Sequence, residues 1–314
     1  MKKKKKISFV LPCYNEEENI PDAYDAVVAE MKKFPKYAFD ILFIDNASTD
    51  GSAAVLRRLA KKDERVKVIF NRRNFGPERS PFYAILQTTG DAVIVLHTDL
   101  QIPMDMIPDF VENWERGEDV VWAQKKNVVE NPVMFFLRSV YYRLLKLLSP
   151  VTQYEHVTGC GLIDKKVVAL LKNVNDPWPM LRNIVPDLGF VPKLLPYDER
   201  PRAKGKSSYT LVRYIDTALS TFVHTSKVPL KVAIYTGALC AVASFLTGCF
   251  YLFYKLLFWN DFSVGVAPLV ISLFFVASMQ ILFLGVMGEY ILAIYDKVGF
   301  VRYVVEKERL NFDE

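Results

Sequence analysis

Asp99 closes the run Ala92-Val93-Ile94-Val95-Leu96-His97-Thr98-Asp99-Leu100-Gln101, where an apolar stretch gives way to polar side chains. A carboxylate at the end of such a strand is placed to hold a divalent ion against a diphosphate. Tyr14, in Leu11-Pro12-Cys13-Tyr14-Asn15-Glu16-Glu17, offers a ring, while Glu16 and Asp45 offer acceptors for ribose hydroxyls or base amino groups. Arg200-Pro201-Arg202-Ala203-Lys204-Gly205-Lys206-Ser207-Ser208-Tyr209 adds cationic donors on a Gly-containing stretch, and guanidinium grips phosphate in bidentate fashion. Each group also has a plainer use. Asp45 and Asp50 suit helix capping, Glu16 a solvated surface and the basic stretch a linker; capping is expected for Asp50, ligand contact for Asp45.

These residues need a frame. Apolar runs rich in Val, Ile and Phe at 7–11, 41–44, 66–69 and 93–96 read as strands, with helical patterns at 19–33 and 52–61 between them. Alternation of this kind predicts an α/β domain with a mainly parallel sheet covered on both faces. Asn46-Ala47-Ser48-Thr49-Asp50-Gly51 reads as a turn entering a helix.

A chain of 314 residues has room for one such domain and a smaller appendage. Its formal charge is only +5, but Lys2 to Lys6 form a basic run read as a solvated tail. The apolar stretch behind that run is too short for a secretory signal. Cys13, Cys160, Cys240 and Cys249 lack metal-ligand spacing and are expected to be reduced thiols facing the cytosol.

Residues 232–257 carry Lys255 as their sole charge and 264–288 carry none. Both exceed the ~20 residues needed to cross a ~30 Å hydrocarbon layer, which predicts a transmembrane hairpin. Lys227, Lys231, Lys297, Arg302, Lys307 and Arg309 flank the hairpin rather than its link, so both ends should be cytoplasmic. Residues 211–226 show helical spacing suited to the membrane surface or to packing on the head. Residues 133–148 interleave Arg138, Arg143 and Lys146 with large apolar residues, as a lipid-facing or ordinary amphipathic helix would. The expected organisation is a head at 1–210, a juxtamembrane helix at 211–230, a hairpin at 231–294 and a cytosolic tail at 295–314.

The order of these motifs resembles the family 2 glycosyltransferases, in particular the membrane-anchored polyprenyl-phosphate branch that includes dolichyl-phosphate mannose synthase. Leu11 to Glu17 resembles the family's opening donor-site motif, Ile44 to Gly51 its second, and Arg73-Asn74-Phe75-Gly76 a third. His97 to Gln101 stands where the family has Asp-x-Asp followed by Leu-Gln, and Gly288-Glu289-Tyr290 with Ile294-Tyr295 resembles the close of its second span. The likeness covers almost the entire chain. It implies a GT-A type nucleotide-sugar domain, with Pro12, Tyr14, Glu16, Asp45 and Asn46 at the nucleoside. It also implies a divalent cation, Mn2+ or Mg2+, at Asp99 with Gln101. Arg202, Gly205 and Ser207, with Lys206 between, resemble a stretch that closes over the donor phosphates; Asp99 and Arg202 would thus be the catalytic pair.

Two departures matter. His97 replaces the first acidic residue, and imidazole suits Mn2+ better than Mg2+. Either the site prefers Mn2+, or His97 touches phosphate directly, or metal binding is weakened. Ile102 likewise replaces an acidic residue. Thr158-Gly159-Cys160-Gly161-Leu162 lacks the Asp that some relatives carry, with Glu155 as a weak substitute. A lipid phosphate, its second pKa near ~6, is already a nucleophile without a strong base. Lys125, Arg138 and Arg143 are candidates for the acceptor phosphate.

The expected activity is inverting transfer of a sugar from a UDP- or GDP-linked donor to a polyprenyl phosphate, at the cytoplasmic face of a bacterial inner membrane. The competitors are another lipid-linked or polysaccharide acceptor, and a non-catalytic membrane adaptor. The polymerising relatives' Gln-x-x-Arg-Trp is absent. The expected partners are the nucleotide sugar, the lipid and the bilayer; no nucleic-acid motif is present. A homo-oligomer is left open.

Overall fold

The computed structural model describes residues 4–126, 154, 156–199, 266–299 and 304–312, with scattered positions between 235 and 257. The chain divides into two compact units. One comprises Met1–Arg143, Val151–Ser208 and Val301–Glu314; the other comprises Leu144–Pro150 and Tyr209–Phe300.

The first unit is an α/β layer structure. Its strands are β1 (Lys6–Cys13), β2 (Ala38–Asp45), β3 (Val66–Asn71), β4 (Ala92–Val95), β5 (Val120–Lys125), β6 (Val157–Asp164), β7 (Lys193–Tyr197) and β8 (Glu306–Leu310). They form a sheet of order β7-β5-β6-β4-β1-β2-β3-β8. The central pairs β4-β1, β1-β2 and β2-β3 are parallel, as the alternating sequence pattern predicts. Antiparallel partners flank them, β6 on β4 and β8 on β3.

Strand alternation divides the core between two faces. Phe9, Leu11, Ile41 and Phe43 pack with α1 (Ile20–Met31), α2 (Ser52–Lys62) and α4 (Ile107–Glu115) on one side. Val10, Leu42, Ile44 and Val93 pack with α3 (Gly76–Gln87), α5 (Lys165–Leu171) and α6 (Leu181–Asp187) on the other. Each fully buried side chain of this size contributes about 1.5–3 kcal/mol, so a sheet buried on both faces makes a stiff platform. Proline opens α1, α3 and α4, where a missing N–H costs nothing. Asp164 caps α5 by accepting the Lys166 amide at 2.9 Å.

Two strands correct the sequence reading. β6 contains Gly159 and Gly161 at φ +84 and +139, conformations that suppress a strand signal. A Cβ at Gly161 would stand 2.1 Å from the Val121 carbonyl oxygen, so β5 and β6 can pair this closely only with glycine there. The second correction concerns the tail expected at 295–314. Its residues Glu306–Leu310 are not a tail but an edge strand of the head's sheet, charged along its length as edge strands are. Arg57 bonds Glu308, Tyr83 donates to Glu306 at 2.8 Å, and Asn311 Nδ2 donates to the Ala60 and Val66 carbonyls at 2.8 Å each.

In the second unit, α7 (Val266–Gly299) runs for 34 residues, about 50 Å at ~1.5 Å per residue. Its Leu269, Leu273, Leu284 and Ile291 side chains are exposed. Among the described residues no helix is long and apolar enough to cross a membrane.

Candidate active site

The chain runs β1, β2, β3 toward one edge and then returns to place β4 on the other side of β1. At such a reversal the loops leaving the carboxyl ends diverge and open a crevice, the usual ligand site of an α/β sheet. Pro12 lies near the end of β1 and Tyr14 follows that strand, Asp45 ends β2, and His97 to Gln101 follow β4, so the sequence candidates lie at the same end of the sheet. Thr98 Oγ1 donates to the Pro12 carbonyl at 2.7 Å and ties the two lips together. Tyr14 is exposed and presents its ring to solvent.

The β1-α1 and β2-α2 loops are joined by reciprocal bonds. Asn15, at φ 56, donates its amide to Ser48 Oγ at 2.9 Å and accepts the Thr49 amide at 2.8 Å. Glu16 N–H donates to Ser52 Oγ, Glu17 N–H to Asp50, and Gly51 N–H back to Glu17. Asp50 also accepts the Ser52 amide at 3.0 Å, one residue ahead of Gly51, which occupies the N-cap position of α2. The Glu16 carboxylate accepts from Asn19 Nδ2, at the start of α1.

Asp45 lies buried in this floor, its carboxylate accepting the Ser48 amide at 3.3 Å and the Ser48 hydroxyl. Burial pushes its pKa up, with the Ser48 bonds pulling the other way. Such a carboxylate gains by accepting donors from a ligand.

Asn46, expected at the nucleoside, is used inside the protein. Its Oδ1 accepts from Asn71 Nδ2 at 3.1 Å and from the Phe75 amide at 2.9 Å. Its Nδ2 donates to Asn74 Oδ1 at 2.9 Å and to the Gly76 carbonyl at 3.1 Å. Two lone pairs and two protons are thereby spent, so Asn46 shapes the Arg73-Asn74-Phe75-Gly76 loop instead of reading a base. The spacing of the motifs did not reveal Asn71, whose Nδ2 also donates to Ser80 Oγ at 3.0 Å.

Beyond β4, Asp99 is 6 % exposed and accepts the Gln101 amide at 3.2 Å across Leu100, which has φ 57. The β4-β6 register pairs Val95 with Gly161, which brings the start of β6 beside His97. His97 is solvent-accessible and is pushed up to about 9, chiefly by Cys160, with a hydrogen bond to Cys160 and the charges of Asp99 and Glu78 adding to it. Burial alone would raise the Cys160 thiol; His97 and a bond with Thr158 outweigh it and hold the thiol low. His97 stands exposed at the lip, two residues from Asp99, with an imidazole that can face either a cation or a phosphate. Among the described residues no three His, Cys, Asp or Glu side chains group closely enough to hold a metal ion. Asp99, beyond the end of β4, offers one carboxylate to a cation that would be held jointly with a diphosphate.

Lys125, expected at the acceptor phosphate, is paired with Glu199 at 2.6 Å. Arg138, Arg143, Arg202, Lys206 and Ser207 lie outside the described residues. One carboxylate that no motif singled out joins the site. Glu78, in the first turn of α3, feels the charges of Arg182 and His97, while burial pushes its pKa up.

The profile of a family described as "Glycosyl transferase family 2" matches residues 8–168. The SfII prophage-derived bactoprenol glucosyl transferase of Shigella flexneri is 31% identical over 304 residues, covering 96% of this chain and 98% of the relative. The uncharacterized glycosyltransferase YkcC of Bacillus subtilis is 30% identical over 317 residues, covering 98% and 97%. Among solved structures, the mannosyltransferase PcManGT of Pyrobaculum calidifontis in complex with GDP-Man and Mn2+ aligns with a TM-score of 0.47 at 17% identity, over 95% of this chain and 88% of that one.

Proposed function

The chain belongs to glycosyl transferase family 2, and from that premise we propose that it moves glucose from a nucleotide sugar to bactoprenol phosphate. The observation that carries the reading is the meeting of Tyr14, Asp45 and Asp99 at the β1/β4 reversal. Tyr14 stacks on the base, Asp45 accepts from the nucleoside, and Asp99 faces the diphosphate. The names of the relatives support glucose and bactoprenol.

The lipid phosphate oxygen attacks the anomeric carbon in line as the bond to the nucleoside diphosphate breaks, which inverts that carbon. Most of the acceleration comes from holding the two anionic substrates in register and balancing their charge. Bound with the donor, a divalent cation would neutralise the departing diphosphate, with Asp99 as its protein ligand. His97, two residues from Asp99 at the same lip, is placed to meet the cation or the donor phosphate. Arg202, Lys206 and Ser207 are proposed to cover the donor phosphates, and Arg138 and Arg143 to hold the acceptor phosphate.

The absence of charge from residue 264 to 288 and the exposed leucines of α7 support a membrane hairpin that keeps the head at the cytoplasmic surface. A panel of radiolabelled nucleotide sugars, incubated with membranes bearing the protein and polyprenyl phosphate, tests the reading. Label from UDP-glucose should enter the solvent-extractable lipid and depend on added Mn2+. Label that enters no lipid from any donor overturns it.

A further inference from the structure

The strand at the β8 edge grips more than its neighbour in the sheet. The chain that follows α7 reaches Val305 just ahead of β8, and the Val305 carbonyl accepts the Arg72 amide at 2.9 Å. That bond carries the β3-β8 pairing past Asn71 and Glu306, up to the loop of Arg73 to Gly76. The pairing changes step between Phe70 and Asn71, where that loop is about to begin.

From the step, Glu306 reaches across to α3. Its carboxylate accepts the Tyr83 hydroxyl at 2.8 Å and Arg309 Nε at 2.9 Å, and Arg309 Nη2 donates to Gln87 Oε1 at 3.0 Å. Ser80, buried one turn before Tyr83, accepts from Asn71 Nδ2 at 3.0 Å. Ser80, Tyr83 and Gln87 follow one another at spacings of three and four residues, so they share one face of α3. A polar seam therefore runs along that face, held by β8 at Tyr83 and Gln87 and by Asn71 nearer the crevice. The seam ends on Asn46, which accepts from Asn71 and donates to the Gly76 carbonyl at the start of α3. Asn46 adjoins Asp45, and its amide donates to the Cys13 carbonyl at 3.0 Å. A shift of α3 on the sheet is thus passed to the turn that presents Asp45.

We propose that Glu306 is a positioning residue for the nucleoside of the donor: through Tyr83 it fixes how α3 sits on β3, and through α3 and Asn46 it fixes the Asp45 turn. The proposal rests on the glycosyltransferase reading above and adds the strand after α7 to the donor site. Closing the sheet edge does not require this grip, since Arg57 on Glu308 and the two Asn311 bonds already hold β8 in place. Glu306 acts at one remove, so its loss weakens nucleotide binding without touching the transfer step.

Titration calorimetry with UDP and UDP-glucose, on the full chain in detergent with Mn2+, tests the assignment at a temperature where melting curves show the proteins folded. The variants are Glu306→Ala, Glu306→Gln, Tyr83→Phe, the double variant Glu306→Ala with Tyr83→Phe, and Glu308→Ala. Glu306→Ala and Tyr83→Phe should each bind both ligands about fivefold more weakly, and the double variant no more weakly than either, because all three lose the same bond. Glu306→Gln keeps an acceptor for Tyr83 and should stay within about twofold of wild type, as should Glu308→Ala. In transfer assays the loss should fall on KM for the donor, with kcat within about twofold. Tyr83→Phe carries the comparison if Glu306→Ala does not fold. Wild-type affinity in Tyr83→Phe, whatever its melting temperature, makes the contact a structural one and overturns the assignment while leaving the transferase reading intact. An equal loss in Glu308→Ala traces the effect to the strand as a whole and also overturns it. Failure of wild type to bind either ligand overturns the transferase reading, and this assignment with it.

Discussion

Asn71 Nδ2 donates to Asn46 Oδ1 at 3.1 Å inside the protein, one strand away from the crevice it helps to shape. Through that bond the end of β3 holds the residue that fixes the Arg73 to Gly76 loop. Asn46→Ala would strand the Phe75 amide and the Gly76 carbonyl, at a cost of about 1–3 kcal/mol for the groups left unsatisfied. We expect the melting temperature to fall by several degrees, read by tryptophan fluorescence on the detergent-solubilised chain. An unchanged melting curve would show that the network is not holding the loop.

Asp45 gives the opposite signature. Its pKa is raised by burial, so its ionised form is less stable in the folded protein than in the unfolded chain. The sign follows: the folded state binds the proton more tightly, so stability is lost as pH rises above the unfolded value. Asp45→Asn should therefore raise the melting temperature of the ligand-free protein at pH 7 while weakening nucleotide binding about tenfold or more. Calorimetry and a melting curve on one preparation check both halves.

Asp63 contributes to the acid limb. Arg65 holds it down to about 2 through bonds of 2.9 and 2.7 Å, and Tyr24 adds one of 2.9 Å. With its folded pKa depressed from 3.8, its stabilisation is complete above that value and lost as pH falls toward 2. Arg65 is half exposed at 51 % and screened, which leaves about 1 kcal/mol. Asp63→Asn should flatten the fall in stability between those pH values, measured by urea denaturation at a series of pH.

The β8 edge separates pairing from charge. Glu308→Ala removes an exposed ion pair with Arg57 and should cost under ~1 kcal/mol. Removing residues 304–314 uncovers the β3 backbone at Val68 to Asn71, and that product should melt lower and elute as aggregate. Size-exclusion chromatography that shows both variants equally well behaved would mean that β8 does not protect this edge.

Much of this was legible in the residues. The Val- and Ile-rich runs at 7–11, 41–44, 66–69 and 93–96 mark β1 to β4 because strands buried on both faces must be apolar throughout. Asp45 and Asp99 stood out as acidic residues ending such runs. β6 was hidden by its glycines, which serve a close approach to Val121 rather than strand propensity. β8 was hidden because an edge strand of Glu, Lys and Arg has the composition of a tail. Glu78 and Asn71 escaped notice because each becomes meaningful only when helix or strand packing brings it to partners distant in sequence. Asn46 was visible in its motif, but its task was not, since only the fold shows that its hydrogen bonds are already spent.

The central claim is that the crevice beside Asp99 transfers a sugar to a lipid phosphate. The most direct measurement places purified wild-type and Asp99→Ala protein in vesicles containing bactoprenol phosphate, with labelled UDP-glucose and Mn2+, and follows label into the extractable lipid. We expect steady formation of the glucosyl lipid by the wild type and a loss of at least about a hundredfold in Asp99→Ala with its melting temperature retained. Equal rates in the two proteins would contradict the account.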